Sequence, residues 1–494
     1  MRRYVSRKKY SSGYSGKRWT IGIRRMKDTR CSSFRNISVL GLGKLGAVAA
    51  GCYASRGFRV IGADLNQNVV ECCNKGEPPI QEPGIENLYR SSRSFLTVTT
   101  DGLAAVQESE ATLITVPTPS KTDGAYCLEY VIGACKTVGD ALREKASYHL
   151  VVLKSTVLPG SCDSEIIPFL EARSGKRCGV DFGFCYNPEF IALGSVIYNI
   201  FNPDLILIGE SDEAAGDSLQ EISSRLLTGK RPLARMNLVN AELAKLSVNS
   251  FVTMKITFAN LLARMCEQLP GGDVDVVTSA LGLDSRIGPK YLKGGLGYGG
   301  PCFPRDNDAM LCLARRLGVS FPLAEATDQA NRKIAGQIAD LVRAHVPAGA
   351  RVGVLGLSYK PNTPVVDESQ GLLIAGILFE RGFKVIAYDP LALEPARNVV
   401  GDRIQYRRSA QECIAEADAV LITTPWDEFK ALDYSPRNDS SGPLIVDCWG
   451  ILDDRTSNPA TIIRLGKNFA PHQSSRENRR RSRLRGFDTH ELEK

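Results

Sequence analysis

NISVLGLGKLGAVAAGCYASRGFRVIGAD, residues 36–64, is the stretch that decides how the first half of the chain folds. A short apolar strand, a G-x-G-x-x-G turn, a helical pattern, a second strand and an acid follow one another, as a dinucleotide-binding fingerprint requires. Gly41 permits the tight turn, Gly43 lets a pyrophosphate approach the helix N-terminus, and Gly46 lets the helix lie close to the sheet. Asp64 is placed to bind the adenosine ribose hydroxyls and to repel a 2′-phosphate. The stretch predicts an NAD site, with cofactor-binding residues Gly41, Gly43, Lys44, Leu45, Gly46 and Asp64.

A second strand-helix-strand pattern lies at residues 351–389, where it ends on Asp389. It repeats the design of residues 36–64 without the full glycine fingerprint. Between the two units, residues 240–269 form a helical pattern with no internal glycine or proline, and Pro270 ends it. We therefore predict an α/β protein with two Rossmann-like, doubly wound domains joined by a long central helix.

The net charge of +8 is concentrated in the two ends of the chain. Residues 1–35 contain twelve Lys or Arg and one Asp, and residues 472–494 contain seven basic and four acidic residues, so the body between them carries a net charge of −6. Nucleic acid is therefore not an expected partner of the body. We expect both ends to be solvated and disordered; a start codon further along, at Met26, and a transit peptide are the alternatives for the first end.

Cysteine and apolar patterns exclude further classes of protein. Fourteen cysteines occur without a C-x-x-C pair, and the four histidines are spread over the chain, so neither a metal site nor a disulfide framework is indicated. No apolar run approaches the roughly 18 residues of a membrane span, so no membrane partner is expected. A reducing, cytoplasmic location is the expectation.

The segment GGPCFPRD, residues 299–306, is the strongest candidate for chemistry. Two glycines before Cys302 let the backbone approach a ligand and leave the sulfur uncrowded. We expect the positive charge of Arg305 to lower the thiol pKa, and Asp306 is a candidate proton carrier beside it. A structural turn around a buried thiol is the alternative.

Three further places present polar side chains where a site would need them. Lys245 and Asn249 are four apart in the helical pattern and share one face of it. Asn-Pro before Glu189 forces a turn at the end of an apolar run. Two other predicted strands end near Thr118 and Thr156, as strands do at the ligand crevice of a doubly wound sheet.

With these stretches in hand, the sequence resembles the UDP-glucose/GDP-mannose dehydrogenase family over residues 36–467. The motifs occur in the family's order: GLGKLG at 41–46, VPTP at 116–119, KSTVLPG at 154–160, NPEF at 187–190, AELAKLSVNSF at 241–251, YLKGGLGYGGPCFPRD at 291–306 and GLSYKPNT at 356–363. The resemblance implies oxidation of the C6 hydroxyl of a nucleotide-linked hexose to a carboxylate with two NAD. The alcohol becomes an aldehyde, a thiolate traps it as a thiohemiacetal, and oxidation gives a thioester that water releases.

The resemblance also implies a role for each matching residue. Cys302 is the nucleophile, Lys245 and Asn249 stabilise the oxyanion, Asp306 assists proton transfer through water, Glu189 is the base of thioester hydrolysis, and Thr156 holds a water. Thr118 and Arg305 join the cofactor site. The substrate-binding residues implied are Phe190, Arg286, Tyr291, Lys293, Gly297, Gly299 and Lys360.

UDP-glucose is the leading substrate, with GDP-mannose or a UDP-N-acetylhexosamine as the alternatives and a non-catalytic nucleotide-sugar or NAD-binding protein as a different class. Three departures bear on the sugar. Leu193 stands where members that oxidise glucose often carry a glutamate, and Asp367 and Gly450 stand where some members present an arginine. A homodimer or larger oligomer, paired through residues 240–269, is expected.

The expected divisions follow from the patterns and the resemblance together. They are a basic, disordered extension at 1–35, an NAD-binding Rossmann domain at 36–232, a central helical dimerisation domain with the catalytic cysteine at 233–335, a UDP-sugar-binding Rossmann-like domain at 336–467 and a disordered basic tail at 468–494.

Overall fold

The computed structural model describes residues 34–434, 442–452 and 462–468. The predicted extension, apart from its last two residues, and the predicted tail, apart from Asn468, lie outside the described residues. Within them the chain forms two α/β units and a long helix between them, so the predicted fold class is confirmed.

The first unit is built on a sheet of eight strands. They are β1 (Asn36–Leu40), β2 (Arg59–Ala63), β3 (Leu96–Thr99), β4 (Ala111–Ile114), β5 (His149–Leu153), β6 (Phe182–Tyr186), β7 (Ile206–Glu210) and β8 (Leu233–Asn237). Their order in the sheet is β3-β2-β1-β4-β5-β6-β7-β8, and only β6 and β7 pair antiparallel. The first six strands have the doubly wound order, which places a ligand crevice between β1 and β4.

Helices cover both faces of this sheet, which explains why β4, β5 and β6 are largely apolar and are buried along their whole length. Two separate apolar clusters fill the two layers between sheet and helices. The helices are α1 (Gly46–Ser55), α2 (Gln67–Asn74), α3 (Ile85–Ser92), α4 (Gly102–Gln107), α5 (Glu129–Glu144), α6 (Ile167–Ser174), α7 (Val196–Phe201) and α8 (Glu213–Leu226).

The central region contains α9 (Leu238–Gln268), α10 (Val274–Leu283), α11 (Phe303–Leu317) and α12 (Pro322–His345). The 31-residue helix α9 starts two residues before the predicted position, because the Asn237 side chain accepts a hydrogen bond from Asn240 N and caps it. It ends just before Pro270, as predicted, and both α11 and α12 pack against it.

The second unit is a six-stranded, wholly parallel sheet in the order β11-β10-β9-β12-β13-β14, with the same 3-2-1-4-5-6 arrangement as the first. Its strands are β9 (Arg351–Leu355), β10 (Lys384–Tyr388), β11 (Gln405–Tyr406), β12 (Ala419–Ile422), β13 (Leu444–Asp447) and β14 (Ile462–Arg464), and its helices are α13 (Gln370–Glu380), α14 (Leu393–Val400) and α15 (Ala410–Glu416).

Regular structure continues past two of the predicted domain boundaries. β8 extends the first sheet five residues past the predicted boundary at residue 232, because it pairs in parallel with β7. Helix α12 runs through residues 335 and 336 without a break, and Gly336 lies inside the helix and does not end it.

Candidate active site

The expected catalytic residues meet where the carboxyl ends of β5 and β6 approach helices α9 and α11. Cys302 immediately precedes α11, and Asp306 lies in the first turn of that helix, where its backbone N–H donates to the Cys302 carbonyl at 2.8 Å. Lys245 and Asn249 are both buried on the face of α9 that is turned towards α11. Glu189 follows β6. Residues up to 117 positions apart in sequence thus contribute to one cleft.

Cys302 is exposed at the surface of the chain, although charged groups surround its sulfur. Desolvation by the neighbouring protein raises the pKa of the thiol, and the carboxylate of Asp306 raises it further. Arg305, Lys245 and Lys44 act in the opposite direction without reversing the shift. Arg305 therefore lowers the pKa of this thiol, as predicted, but desolvation and Asp306 outweigh its charge and the net shift is upward.

Lys245, on helix α9, contacts the polypeptide segment that follows β6. Its Nζ donates to the backbone carbonyl of Glu189 at 2.9 Å and lies 4.6 Å from the centre of the Phe190 ring. Burial lowers the pKa of Lys245, and the nearby Asp306, Cys302 and Glu189 offset this only in part. An ammonium group whose proton is loosely held suits both charge stabilisation and proton transfer.

Asp306 is almost wholly buried and accepts hydrogen bonds on both carboxylate oxygens. Asn249 Nδ2 donates to Oδ2 at 2.6 Å, and the Tyr126 hydroxyl donates to Oδ1 at 2.6 Å. Sequence reasoning missed Tyr126, which lies 180 positions away in the segment between β4 and α5, with no motif to mark it.

Glu189 is paired with a buried lysine that sequence reasoning also missed. Lys154 Nζ donates to Glu189 Oε1 and, at 2.8 Å, to Asn187 Oδ1, and the Lys154 side chain is only 1% exposed. Burial disfavours the charge of Lys154, but Glu189 and Tyr53 outweigh it, so its pKa is raised. Lys154 stands first in the KSTVLPG motif, which was the available signal.

Two segments at the crevice are tied together through their threonines. The Thr118 hydroxyl donates to the Thr156 carbonyl at 2.8 Å, so the segments after β4 and β5 are fixed to each other. Arg305 Nη1 donates to the Thr118 carbonyl at 3.3 Å, which connects α11 with the same place. The residues predicted to bind the cofactor therefore lie next to the helix that follows Cys302.

The glycine turn after β1 has the geometry that a bound dinucleotide needs. Gly41 has φ +91°, in the region that favours glycine. A Cβ on Gly46 would lie 1.9 Å from the Gly41 carbonyl oxygen, whereas a Cβ on Gly43 would meet nothing within 4 Å. Open space therefore faces Gly43, as a pyrophosphate at the N-terminus of α1 requires. Asp64 accepts from Leu42 N at 2.7 Å and Asn66 N at 2.9 Å, and each oxygen keeps capacity for a ribose hydroxyl.

Two buried asparagines fix the glycine-rich segment 294–300. Asn260 of α9 bonds Gly295 N and the Leu296 carbonyl at 2.9 and 3.0 Å. Asn331 of α12 bonds both the N–H and the carbonyl of Tyr298, at 2.8 and 3.0 Å. The backbone is thus held rigidly in front of Cys302.

The second unit closes the cleft with its 356–370 segment. Gly300 N donates to the Asp367 carbonyl at 2.9 Å, and a Cβ on Gly299 would lie 2.1 Å from the Glu368 carbonyl oxygen. Lys360 belongs to this segment, and burial lowers its pKa while Glu82 opposes the shift. A cavity of about 570 Å³ lies between this segment and the first unit, lined by Lys44, Pro78, Pro79, Ile80, Gln81, Glu82, Glu86, Leu193, Thr363, Pro364 and Val365.

The remaining predicted substrate residues differ in position. The Tyr291 ring packs edge-on against Phe303 with centroids 6.4 Å apart, and Lys293 is exposed near it in sequence. A Cβ on Gly297 would meet Asn331 Oδ1 at 2.5 Å. Arg286 is not brought into the cleft by this single chain: its side chain is 86% exposed and pairs with Asp284. Among the described residues no cluster of His, Cys, Asp and Glu fits a metal ion, and none of the described helices combines the length and apolar character of a bilayer span.

Three family models match consecutive parts of the chain. They are the NAD binding domain, the central domain and the UDP binding domain of the UDP-glucose/GDP-mannose dehydrogenase family, at residues 35–227, 239–333 and 353–454. Together with the glycine turn and the cysteine cleft, these matches define an NAD-dependent dehydrogenase.

Known proteins match over most of their length. The UDP-glucose 6-dehydrogenase AglM of Haloferax volcanii is 38% identical over 80% of this chain and 93% of its own. The GDP-mannose 6-dehydrogenase of Pseudomonas aeruginosa is 36% identical over 86% of this chain and 99% of its own. A solved UDP-glucose dehydrogenase from Pyrobaculum islandicum superposes with a TM-score of 0.81 at 36% identity, covering 90% of this chain and 99% of that one.

The chain therefore belongs to the UDP-glucose/GDP-mannose dehydrogenase family. It is an NAD-dependent nucleotide-sugar dehydrogenase, and NAD is its cofactor.

Proposed function

We propose that this nucleotide-sugar 6-dehydrogenase converts UDP-glucose to UDP-glucuronate, with two NAD consumed for each sugar. The observation that carries the proposal is the gathering of Cys302, Lys245, Asn249, Asp306 and Glu189 in one cleft between the glycine turn and the second unit. A four-electron oxidation through a thioester requires a positively charged group, a carboxylate that takes part in proton transfer and a thiol, all beside the cofactor site.

Each residue has one part in the proposed sequence. When bound, NAD accepts the hydride in both oxidations. Lys245 and Asn249 stabilise charge on the C6 oxygen, and Asp306, hydrogen-bonded to Asn249, takes part in proton transfer. The Cys302 sulfur bonds to C6 of the aldehyde, and oxidation of this thiohemiacetal leaves a thioester. Glu189 then removes a proton from a water that Thr156 holds, and attack of this water breaks the C–S bond and frees the carboxylate.

Binding follows the division into domains. We propose residues 36–232 for NAD, with Gly41, Gly43, Lys44, Leu45, Gly46, Asp64, Thr118 and Arg305 as contacts. Residues 336–467 hold the nucleotide of the sugar, with Lys360 beside its diphosphate. Phe190, Tyr291, Lys293, Gly297 and Gly299 complete the substrate side.

The choice of UDP-glucose is supported by AglM and by the Pyrobaculum islandicum enzyme, both of which are named for this sugar. GDP-mannose is the second candidate, because the Pseudomonas aeruginosa relative is almost as similar, at 36% identity. Leu193 lies on the cavity wall and packs against the apolar core of the first unit. At this position it offers no carboxylate to a sugar hydroxyl.

A panel of nucleotide sugars tests the proposal. UDP-glucose, GDP-mannose, UDP-N-acetylglucosamine and UDP-N-acetylmannosamine are each incubated with NAD, and NADH is followed by absorbance and the acid by mass spectrometry. We expect UDP-glucose to give the highest kcat/KM and two NADH per acid. Turnover confined to GDP-mannose or to an acetamido sugar would remove UDP-glucose, and absence of NADH with all four would remove the catalytic proposal.

We also propose a homodimer paired through α9. Large apolar side chains remain exposed on this helix and on α10, among them Phe251, Phe258, Leu261, Met265 and Val276, each more than half exposed. Light scattering at micromolar concentration should give twice the chain mass or more. Phe258→Glu should lower the mass to that of a monomer, whereas Val180→Glu, at an exposed valine of the first unit, should not. A monomeric wild type would refute the pairing.

A reducing, cytoplasmic location is proposed on the cysteines. All thirteen that lie within the described residues are free, and most of them are buried.

A further inference from the structure

Tyr126 contacts the proposed catalytic carboxylate from a distant part of the chain. Its hydroxyl donates to Asp306 Oδ1 at 2.6 Å while Asn249 donates to Oδ2 at 2.6 Å. Two donors on opposite oxygens fix both the position and the plane of a carboxylate. The Tyr126 side chain is 3% exposed, and the Arg305 guanidinium lies 5.2 Å from the centre of its ring.

The turn that presents Tyr126 is itself fastened to α11. Lys121 N donates to the Ala125 carbonyl at 2.7 Å, and Asp123 Oδ1 accepts from Ala125 N at 3.0 Å, which closes the turn. Arg316 of α11 donates to Asp123 Oδ2 at 2.9 Å. Gly124 lies so close to the same helix that a Cβ there would be 2.8 Å from the Asp308 carbonyl oxygen. The turn that carries Tyr126 is therefore held against α11, the helix that carries Asp306.

The direction of the hydrogen bond is settled by the environment of the phenol. Burial raises the pKa of Tyr126 far above its ordinary value, and the Asp306 carboxylate raises it further. The phenol therefore keeps its proton over the working pH range, and it is a permanent donor to the carboxylate.

We propose that Tyr126 is a positioning residue for Asp306 that acts on the reaction by holding this carboxylate in one orientation. The inference rests on the proposed function, which gives Asp306 its part in proton transfer. Asp306 is also the first of the groups that favour the charged form of Lys245, so a displaced carboxylate weakens two members of the site together. Without the hydroxyl, Oδ1 keeps only the longer contact with Arg305 Nε, at 3.7 Å, and the carboxylate can turn out of its plane.

Tyr126→Phe tests the inference with little change of shape. With UDP-glucose and NAD, we expect kcat to fall about tenfold, equivalent to about 1.4 kcal/mol, because a hydrogen bond to a charged group is lost. The KM values for both substrates should stay within twofold, since the hydroxyl serves the carboxylate. The matched control is Tyr434→Phe, which removes a buried hydroxyl that donates to the Phe429 carbonyl at 2.8 Å in the second unit. It should leave kcat unchanged.

A double-mutant cycle with Asp306→Asn separates this inference from the proposed function. If Tyr126 acts through Asp306, adding Tyr126→Phe to Asp306→Asn should cause no further loss of kcat. A further tenfold loss in the double variant, or an unchanged kcat in the single Tyr126→Phe variant, would overturn the inference alone. An unchanged kcat in Asp306→Asn would instead overturn the proposed role of Asp306.

Discussion

The two α/β units of this enzyme use the same turn at the same place in the sheet, but they differ in how the acid beside the turn is bonded and in how far the following segment reaches. Gly41 after β1 and Gly356 after β9 both have positive φ, +91° and +108°. Thr115 donates to the Gly41 carbonyl at 2.7 Å, and Thr423 donates to the Gly356 carbonyl at 2.6 Å. The turns of both units are therefore held by the same kind of hydrogen bond, from a threonine hydroxyl to a glycine carbonyl.

The difference lies in the acid that ends the second strand of each unit. Asp64 is half-buried and accepts two backbone N–H groups. Asp389 is completely buried and accepts from Leu357 N, Ser358 N and Oγ, Leu391 N, Ala392 N and, at 3.3 Å, Trp426 Nε1. A carboxylate with all its lone pairs occupied has no capacity for a ribose hydroxyl.

The turn length differs as well. The first unit passes from Gly41 to Gly46 directly, whereas the segment from Gly356 to Gly371 is longer and reaches Gly300 in the catalytic cleft. One framework thus serves once as a cofactor crevice and once as the support of a segment that completes the neighbouring site.

The largest effect is expected where both units need glycine for packing. Gly46→Ala would place a Cβ 1.9 Å from the Gly41 carbonyl oxygen, and Gly371→Ala would place one 2.2 Å from the Gly356 carbonyl oxygen. We expect each to lower the free energy of unfolding by about 3 kcal/mol in urea denaturation, because backbone must shift. Gly376→Ala, also in α13 but with nothing within 4 Å of its Cβ, is the control and should not destabilise. Equal stability of all three would contradict the shared turn.

Substitutions of the two acids, Asp389 and Asp64, should affect stability and cofactor binding differently. Asp389→Asn turns an acceptor among six donors into a group with its own N–H bonds, so we expect a loss of about 2 kcal/mol of unfolding free energy and little change in NAD affinity. Asp64→Asn should change stability less, weaken NAD binding in calorimetry, and improve binding of NADP relative to NAD, since a charge that repels the 2′-phosphate is gone. The comparison fails if the two variants behave alike.

A substitution at Gly43 tests whether the cofactor occupies the open space at the first turn. Its Cβ would meet no protein atom, so Gly43→Ala should stay within about 0.5 kcal/mol of wild-type stability. The added methyl group stands where the pyrophosphate approaches, and we expect NAD affinity to fall about tenfold in calorimetry. Unchanged affinity would mean that the cofactor does not approach this turn.

The smallest expected effect concerns the thiol between the units. Because desolvation and Asp306 raise the pKa of Cys302, its alkylation by iodoacetamide should still be accelerating at pH 9, since only the thiolate reacts. Asp306→Asn removes one of these causes and should speed alkylation at pH 8 several-fold. Mass spectrometry of the Cys302 peptide separates this reaction from the other cysteines. A rate already constant above pH 7 would show a lowered pKa instead.

Local patterns predicted the fold well. The strand and glycine alternation of residues 36–64 and the helical stretch that ends before Pro270 depend on neighbours in sequence, and both units appeared with the expected order. Local patterns also drew attention to Lys245, Asn249 and Asp306, to which the resemblance gave roles, and the structure places the three together.

The sequence alone could not predict the contacts between distant residues that orient the side chains of the site. The Lys154–Glu189 ion pair depends on the adjacency of β5 and β6, and the Tyr126–Asp306 hydrogen bond joins positions 180 apart. The net upward shift of the Cys302 pKa was beyond the sequence for the same reason: the charge of Arg305, which lowers the pKa as predicted, is visible in sequence, whereas the desolvation that outweighs it is a property of the folded chain.

The most direct test of the central claim is to trap the acyl group on the sulfur. Glu189→Gln, mixed with UDP-glucose and excess NAD and quenched in acid, should release two NADH per subunit in one burst. Peptide mass spectrometry should then find the UDP-glucuronyl group bound to Cys302. A burst of one NADH, or two NADH with Cys302 unmodified, would contradict a thioester at this residue.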